Sequence, residues 1–432
     1  MSEHRRYLLP ITFICLFLLA FTAACGDNGT SQNILTPTIT QSSASGTPTR
    51  STPTLTSVAQ DTACPAPGSG RPAVMPALQP GTRPQIIYYH NIDAQMVLDI
   101  FDVQRQAVVA IIGENEHIQT AQLSDDGQWV LMVASNNTIS ELQLVRVDGK
   151  FFQTLYCAPA GQQIDPSNST GTQWSPDQKQ IIFTQGTNAH APLPLYLLNV
   201  ASGHAQLELT PGLSVDVNPT TDFLPVTWVD NTRVYVVDTE PNFDSLAILD
   251  TRKGPGQHAS DLQEIVGSRQ VMARSFDSNY DATRLFISEV FGTGSTATHG
   301  VSISCSIDVM PINQANFNHP LSCKNLVTLG IRVIGYSGSS LMLDVNASAG
   351  TGKSVPTDGF WKINTDGSGL KQLNTVPGGF NRFTQYPWSN FSRDGSLYTD
   401  GLFYGSLNGG SLIRYAADGQ GDGNVLVGWT TL

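Results

Sequence analysis

Short apolar runs alternate with polar turns along the chain beyond residue 64. Three stretches show the pattern most clearly: Leu123-Ser-Asp-Asp-Gly-Gln-Trp-Val-Leu-Met-Val, Trp174-Ser-Pro-Asp-Gln-Lys-Gln-Ile-Ile-Phe and Phe391-Ser-Arg-Asp-Gly-Ser-Leu-Tyr. In each, an apolar residue ends one strand, a turn rich in Asp, Gly, Asn, Ser or Pro follows, and a β-rich run begins. Four further stretches share this form, beginning at Leu78, Trp228, Phe276 and Ile334. The pattern therefore predicts seven hairpins in a row.

A second set of hairpins is predicted between these stretches. Asp148-Gly149 separates two alternating runs, and Ser202-Gly203 and Asp366-Gly367 do the same further along. Alternation with a period of two, bounded by Asp-Gly turns, is a strong hairpin signal. The anchors recur about every 45–58 residues, which is the spacing of four-stranded propeller blades with some long loops. We find no amphipathic helix pattern beyond the first 24 residues.

Two of these stretches resemble a known family. Trp174-Ser175-Pro176-Asp177, followed by Ile-Ile-Phe, resembles the blade signature of TolB-like and WD-repeat-like β-propellers, and the run from Trp361 to Leu373 resembles their outer hairpin. Good matches cover the second, third, sixth and seventh repeats, whereas Val229 and Gly335 stand where Ser is expected. The resemblance implies an all-β fold over residues 64–432, a propeller of about seven four-stranded blades, with six or eight as alternatives. A β-sandwich array fits the regular anchors less well.

Such repeats bury their faces only against their neighbours, so the first and last blades must join. The run Asn424-Val-Leu-Val-Gly-Trp-Thr is apolar, and we expect it to form the outer strand of a terminal blade. The segment Ala73-Val-Met-Pro-Ala-Leu is expected to pair nearby, at an edge position because Pro76 lacks an N–H.

The first 24 residues have the layout of an export signal. A cationic start (Arg5, Arg6) precedes an apolar run that ends at Ala23-Ala24-Cys25. This arrangement resembles the bacterial lipoprotein box, which implies that Cys25 is diacylated and becomes the mature N-terminus, although Thr22 stands where the family prefers a branched aliphatic residue. The alternatives are an ordinary secretory signal cut after Ala23 or Ala24, and an uncleaved anchor.

Residues 25–63 are rich in Ser, Thr and Pro and contain no aromatic residue. A segment of this composition cannot bury enough surface to offset its ordering entropy. We therefore predict a disordered tether between Cys25 and the propeller.

Four cysteines remain beyond the signal and Cys25, and they allow three disulfide connectivities. Cys305 and Cys323 flank a polar turn region centred near Gln314, so a hairpin there places them opposite each other. The remaining pair, Cys64–Cys157, would tie the end of the tether to the folded body. Unpaired buried thiols are the alternative.

The formal net charge is -12, and the chain has only 23 Lys and Arg residues. Such an acidic protein repels a phosphate backbone, which makes nucleic acid an unsuitable partner.

Motifs for catalysis or metal binding are weak. Ala347–Ser354 resembles a phosphate-binding loop, but Ala347 replaces its first Gly and Pro356 follows where a helix should begin. Asp418–Asn424 is rich in oxygen ligands, but its spacing departs from that of a calcium loop. The sequence contains no C-x-x-C, H-E-x-x-H or G-x-S-x-G motif. We therefore predict no catalytic residue, no cofactor and no metal, and assign recognition to the loops 292–300 and 311–320.

These observations predict an exported, lipid-anchored protein at the outer face of the cell membrane or in the periplasm. Its predicted role is a binding or scaffolding module for an extracytoplasmic protein or glycan. Two alternatives stay open: a glycan lyase or hydrolase with a site at the axial channel, and a structural subunit of an envelope complex.

Overall fold

The structure is a computed structural model. It describes residues 63–70, 78–79, 81–92, 95–115, 117–135, 139–165, 171–187, 193–210, 222–240, 243–266, 272–278, 284–290, 305–311, 321–322, 331–337, 340–345, 359–364, 368–374, 390, 392, 394, 396–399, 402–415 and 424–431.

The strands of this part of the chain form seven sheets, numbered here in chain order. Sheet 1 contains β1 (Pro84–Ile92), β2 (Gln95–Asp102), β3 (Ala107–Asn115) and β28 (Val425–Thr431). Sheet 2 contains β4 (Ile118–Leu123), β5 (Trp129–Ser135), β6 (Ser140–Arg146) and β7 (Gln153–Cys157). Sheet 3 contains β8 (Gln163–Ile164), β9 (Thr172–Trp174), β10 (Gln180–Gly186), β11 (Leu195–Asn199) and β12 (His204–Leu209).

The remaining sheets continue the same meander. Sheet 4 contains β13 (Asp222–Trp228), β14 (Arg233–Glu240), β15 (Phe243–Asp250) and β16 (Gln263–Val266). Sheet 5 contains β17 (Met272–Ser278), β18 (Arg284–Val290), β19 (Cys305–Pro311) and β20 (Leu321–Ser322). Sheet 6 contains β21 (Ile331–Ser337), β22 (Ser340–Val345), β23 (Gly359–Asn364) and β24 (Lys371–Asn374), and sheet 7 contains β25 (Leu397–Thr399), β26 (Phe403–Ser406) and β27 (Ile413–Arg414). Two 3₁₀ helices, Thr251–Lys253 and Ala259–Asp261, lie between β15 and β16.

Apart from the pairings of β28 with β1 and of β8 with β10, each sheet is built from antiparallel strands that follow one another in sequence, and first strands of several neighbouring sheets lie side by side. The pairs β4 with β9, β9 with β13, and β17 with β21 are in contact. The strand β28 pairs with β1 and also contacts β4, so it occupies the first-strand position of sheet 1. The C-terminal run therefore joins the first sheet, as closure requires. Our expectation of an outer strand was wrong. In sheet 1 the strand order is β28-β1-β2-β3, so β28 lies at the edge next to the first strand of sheet 2, and β3 is at the opposite, outer edge.

The recurring Ser-x-Asp sequence forms the turn between the first two strands of a blade. The Ser175 hydroxyl donates to Asp177 Oδ1 at 2.8 Å and accepts from the Gln180 amide at 2.9 Å. Ser392 and Asp394 repeat this arrangement, with a hydroxyl-to-carboxylate distance of 2.6 Å. The side chains thus satisfy turn amides that strand pairing leaves without partners. This is the physical reason for the sequence repeat.

The core lies between the sheets, and β5 shows how the alternation produces it. Trp129 and Leu131 face a cluster shared with Trp174 and Phe183 of sheet 3. Val130 and Met132 face the opposite cluster, shared with sheet 1. Both faces of the strand are buried, as expected of a blade between two neighbours. Trp174 and Trp228 each lie in a buried cluster that joins two neighbouring sheets, while Phe391 lies outside the described residues.

The predicted all-β fold is confirmed, whereas the number of blades stays a prediction. The described residues include no helix long and apolar enough to cross a membrane.

Candidate functional site

A short segment ahead of β1, residues 63–70, lies against the outer edge of the sheets; we call it the N-terminal strap. Cys64 forms a disulfide with Cys157, with Cα atoms 5.8 Å apart. Cys157 is the last residue of β7, and its backbone is paired with Glu141 at the start of β6. The predicted Cys64–Cys157 bond is therefore present. It joins the end of the tether region to a hairpin of sheet 2.

The strap then reaches the turn between β11 and β12 of sheet 3. A methyl group at Gly70 would lie 1.6 Å from the main-chain oxygen of Ala201. On the other side of this contact, Gly203 has φ +64° and its missing Cβ would lie 2.6 Å from the Ser69 oxygen. Only glycine allows the two backbones to come this close. The strap thus contacts both sheet 2 and sheet 3.

Further along, the chain contacts sheet 2 again before it enters sheet 1. The Leu78 amide donates to the Gln128 side chain, beside the Ser124 turn. The Gly81 amide donates to the Thr431 oxygen at the end of β28, at 3.3 Å. The strap and the described residues that follow it up to β1 therefore contact three successive sheets.

A second candidate site lies in sheet 1, on the face that meets sheet 7. Ile86 and Tyr88 of β1 pack there with Tyr404, Tyr415 and Trp429. His90 follows on the same strand, and its ring centroid is 5.6 Å from that of Tyr88. We call this face, between sheets 1 and 7, the seam, because β28 joins β1 there. Residues from both the N-terminal and the C-terminal part of the folded chain therefore form the site.

His90 Nε2 is hydrogen-bonded to Asp99 Oδ2 within this seam. The two side chains are 5% and 3% exposed. The other polar atom of each group, His90 Nδ1 and Asp99 Oδ1, is buried and has no hydrogen-bond partner. When Asp99 is ionised and accepts the Nε2 proton of neutral His90, Nδ1 is left as an acceptor. The pair can therefore bind a donor group at Nδ1, or accept a proton from one.

The first strands of sheets 2 and 3 are linked by polar side chains. Gln122 of β4 donates through Nε2 to Gln173 of β9 at 3.3 Å, and its Oε1 accepts from the Trp174 amide at 2.9 Å. Gln122 and Gln173 are both buried. Their bonds fix the distance between neighbouring blades near the axis, and satisfy amide groups that burial would otherwise leave unpaired.

The structure brings together only some of the predicted site residues. Cys305 opens β19, and the pairs Ser306–Ser322 and Ile307–Leu321 form a hairpin about the expected centre. Cys323 lies outside the described residues, so its bond to Cys305 stays a prediction. Also outside them are Cys25, residues 26–62, 71–77, 292–300, 312–320, 347–354 and 418–423.

The His90–Asp99 pair was missed by the sequence analysis. One signal was available, because Asp99 interrupts the apolar run Met96-Val-Leu-Asp-Ile-Phe. A charged residue inside such a run faces a buried surface and needs a partner. His90 lies nine positions earlier, across the hairpin of β1 and β2, which no sequence motif marked.

No protein-family model and no curated protein matches this chain. Among solved structures, it is similar to an oligogalacturonate lyase in complex with manganese, with 10% identity, a TM-score of 0.53 and coverage of 76% of this chain and 84% of that chain. It is also similar to TolB from Acinetobacter baumannii, with 12% identity, a TM-score of 0.40 and coverage of 66% of this chain and 61% of that chain. The chain thus spans less than two thirds of that TolB chain.

A third similar structure is the β-propeller domain of the trilobed protease from Pyrococcus furiosus, with 10% identity, a TM-score of 0.46 and coverage of 79% of this chain and 99% of that chain. At these identities the similarity shows the fold alone. The successive antiparallel sheets and the β28–β1 pairing identify the fold as a β-propeller, and the likeness to the oligogalacturonate lyase structure, at a TM-score of 0.53, agrees with this fold.

Proposed function

We propose that this protein is an exported, lipid-anchored β-propeller that binds an extracytoplasmic protein or glycan. The observation that carries the proposal is the disulfide between Cys64 and Cys157, which begins where the Ser/Thr/Pro-rich tether ends. Disulfides form and persist in oxidising compartments, in agreement with the export signal at residues 1–24. The bond thus supports the same location as the N-terminal sequence.

The strap also suits a protein held by its N-terminus. A mechanical force on the tether acts first on Cys64, and the disulfide transmits this force to the β6–β7 hairpin of sheet 2. Without the bond, the same pull would pass along the chain to β1, which pairs with β28 and closes the ring. The disulfide therefore protects the closing strands from being peeled apart. This protection adds to the stability that the disulfide provides, and it suits a module that is held through its N-terminal tether.

The anchor is tested by fractionating cells that express the full chain with Cys25→Ser. We expect the wild type in washed membranes and the variant in the soluble exported fraction, because two acyl chains give stable anchoring. Cys15→Ser is the matched control, since it alters a cysteine of the signal without touching the predicted lipid site. Equal release of both variants, or release of neither, would contradict the anchor.

The binding role is tested with the Cys25→Ser protein, exported and labelled, on washed envelopes of its own source. We expect saturable retention that is abolished either by protease treatment or by glycan-degrading treatment of the envelopes. The first result would assign a protein partner, including a subunit of an envelope complex, and the second a glycan. Retention no greater than that of heat-unfolded protein would contradict a binding role.

An extracytoplasmic enzyme is the second candidate, and the His90–Asp99 pair is the observation that favours it. A buried, hydrogen-bonded His and Asp can act as a proton-transfer pair. The test compares wild type with His90→Gln on neutral and acidic polysaccharides, following new reducing ends and unsaturated products. Turnover in the wild type that His90→Gln abolishes would move the protein into the enzyme class. No product above background from either protein would support the binding module, and equal turnover in both would indicate an enzyme that does not use His90.

A further inference from the structure

Glu208 of β12 occupies an unusual backbone position. Leu195 pairs with Leu209 and Tyr196 pairs with Leu207, so Glu208 is the extra residue of a β-bulge on the outer strand of sheet 3. A bulge turns its side chain away from the regular alternation. Glu208 is fully buried as a result.

The outer edge of β12 is covered by the connection between β15 and β16 of sheet 4. The amides of Gly256 and Gln257 donate to the oxygens of Leu207 and Glu208, at 3.0 and 2.9 Å, and the Thr210 amide donates to the Gln257 oxygen at 3.0 Å. Residues 254–262, which we call the docking segment, thus add a short parallel partner to β12. The contact joins sheets 3 and 4.

A side-chain contact reinforces this docking. Gln257 Nε2 donates to Glu208 Oε1 at 3.0 Å, and Gln206 Nε2 donates to Glu208 Oε2 at 3.2 Å. Gln257 is 5% exposed, and its Oε1 has no hydrogen-bond partner. A carboxylate cannot donate to this oxygen, whereas a protonated carboxyl group can. A carboxylic acid facing a primary amide can then form two bonds at once.

The charges around Glu208 do not favour its ionised form. Asp250, at the end of β15, has the same charge, and Arg252 is paired with Asp250 at 2.7 Å. Lys253 donates to the main-chain oxygen of Asp261. The other ionisable groups of β12, of its partner strand β11 and of the docking segment are His204, which is exposed on β12, Tyr196, which is half-buried on β11, and the exposed His258 and Asp261 of the docking segment. Within the described part of the chain, no cation bonds to Glu208.

We propose that protonation of Glu208 controls the docking of residues 254–262 on β12. The segment is docked while the protonated carboxyl group of Glu208 donates a hydrogen bond to Gln257 Oε1. It opens when Glu208 is ionised, because a carboxylate and an amide oxygen are both acceptors and repel each other. The blade contact between sheets 3 and 4 would thereby respond to the pH of the medium around an exported protein.

The direction of the response follows from the titration of the group. Burial raises the pKa of Glu208 to about 7, since it outweighs the hydrogen bonds from Gln206 and Gln257, and the charge of Asp250 raises it further. Because the pKa is higher when docked than when open, docking is strongest at low pH and weakens as pH rises through 7. Between pH 5.5 and 8.5 we expect the opening equilibrium to increase by roughly tenfold or more.

Hydrogen exchange on the folded, exported protein tests this proposal, with rates corrected for the intrinsic effect of pH. In the wild type, peptides that contain Gly256, Gln257 and Thr210 should lose protection as pH rises from 5.5 to 8.5. Glu208→Gln keeps a neutral donor and should make their protection independent of pH. Glu141→Gln, an acid in sheet 2, is the matched control and should behave like the wild type. An unchanged pH response in Glu208→Gln would overturn the proposal.

A measurement on the wild type keeps the test valid if Glu208→Gln does not fold. A carbon-13 NMR titration of the Glu208 carboxyl group should show a midpoint near 7. A midpoint near the ordinary glutamate value of about 4.3 would overturn the proposal.

Discussion

Trp429 of β28 donates its indole N–H to the main-chain oxygen of Asn390 at 3.0 Å, across 39 residues of sequence. Asn390 lies just before the Ser392 turn that leads into sheet 7, so the bond connects sheet 1 to sheet 7. The next residue, Thr430, donates its hydroxyl to the Gly127 oxygen in sheet 2. Two successive residues of one strand thus bond to the sheets on either side, and β28 holds three sheets together.

Removing this strand should disrupt the whole propeller. A chain truncated after Ala417 lacks β28, so we expect it to lose cooperative unfolding in urea and to expose sheets 1 and 7. Trp429→Phe keeps an aromatic side chain but removes the indole N–H and part of the buried volume, so it should still fold with a loss of about 1–3 kcal/mol. A truncated chain that unfolds at the wild-type midpoint would show that β28 does not close the ring.

Removing the Cys64–Cys157 bond should lower the free energy of unfolding by roughly 2–5 kcal/mol, since it closes a loop of 93 residues in the unfolded chain. Cys64→Ala and Cys157→Ala should each produce this loss, and the double variant should lose no more than either one. Urea unfolding under non-reducing conditions measures the effect. Additive losses would mean that the two cysteines act separately rather than as a pair.

The Ser-x-Asp turn gives a local prediction. Ser175→Ala removes the hydroxyl that satisfies the Gln180 amide and contacts Asp177, so we expect a loss of about 1–2 kcal/mol in the free energy of unfolding. Ser202→Ala is the matched control, because Ser202 bonds to Asn199 in an exposed turn and should cost no more than about 0.5 kcal/mol. Equal losses at the two sites would reject the assigned role of the repeat.

The stability of sheet 1 should depend on Asp102. Burial alone would raise the pKa of this carboxyl group, but hydrogen bonds and charge from Arg105, with the amide of Gln104, lower it overall. A lowered pKa stabilises the fold above the ordinary range for aspartate, and this contribution is lost as pH falls through and below that range. Thermal unfolding from pH 6 to 3 should show a smaller decrease for Asp102→Asn than for the wild type. The variant should lose about 1–3 kcal/mol at pH 7.

Most of the fold could be predicted from local sequence patterns. The turn at Asp148-Gly149, the Trp174 repeat, and the hairpin between Cys305 and Cys323 all depend on residues close in sequence, and the structure places strands on both sides of each. The partner of a strand far away in sequence was harder to predict. Alternation shows that β28 is buried, but it does not show which edge of which sheet it joins.

The same limit applies to the polar sites. The pair His90–Asp99 depends on register across a hairpin, and the contact Glu208–Gln257 depends on a bulge and on a loop 49 residues away. Neither has a motif with fixed spacing. Such pairs become visible only when burial and hydrogen-bond partners are known.

The central claim, that this propeller is held at a membrane by lipid on Cys25, is tested most directly by the mass of its N-terminal peptide. The protein would be expressed with its own signal, purified from washed membranes in detergent and digested. We predict that the mature chain begins at Cys25 and that this peptide carries the mass of a diacylglyceryl group. A peptide that begins elsewhere, or that begins at Cys25 without acyl mass, would contradict the account.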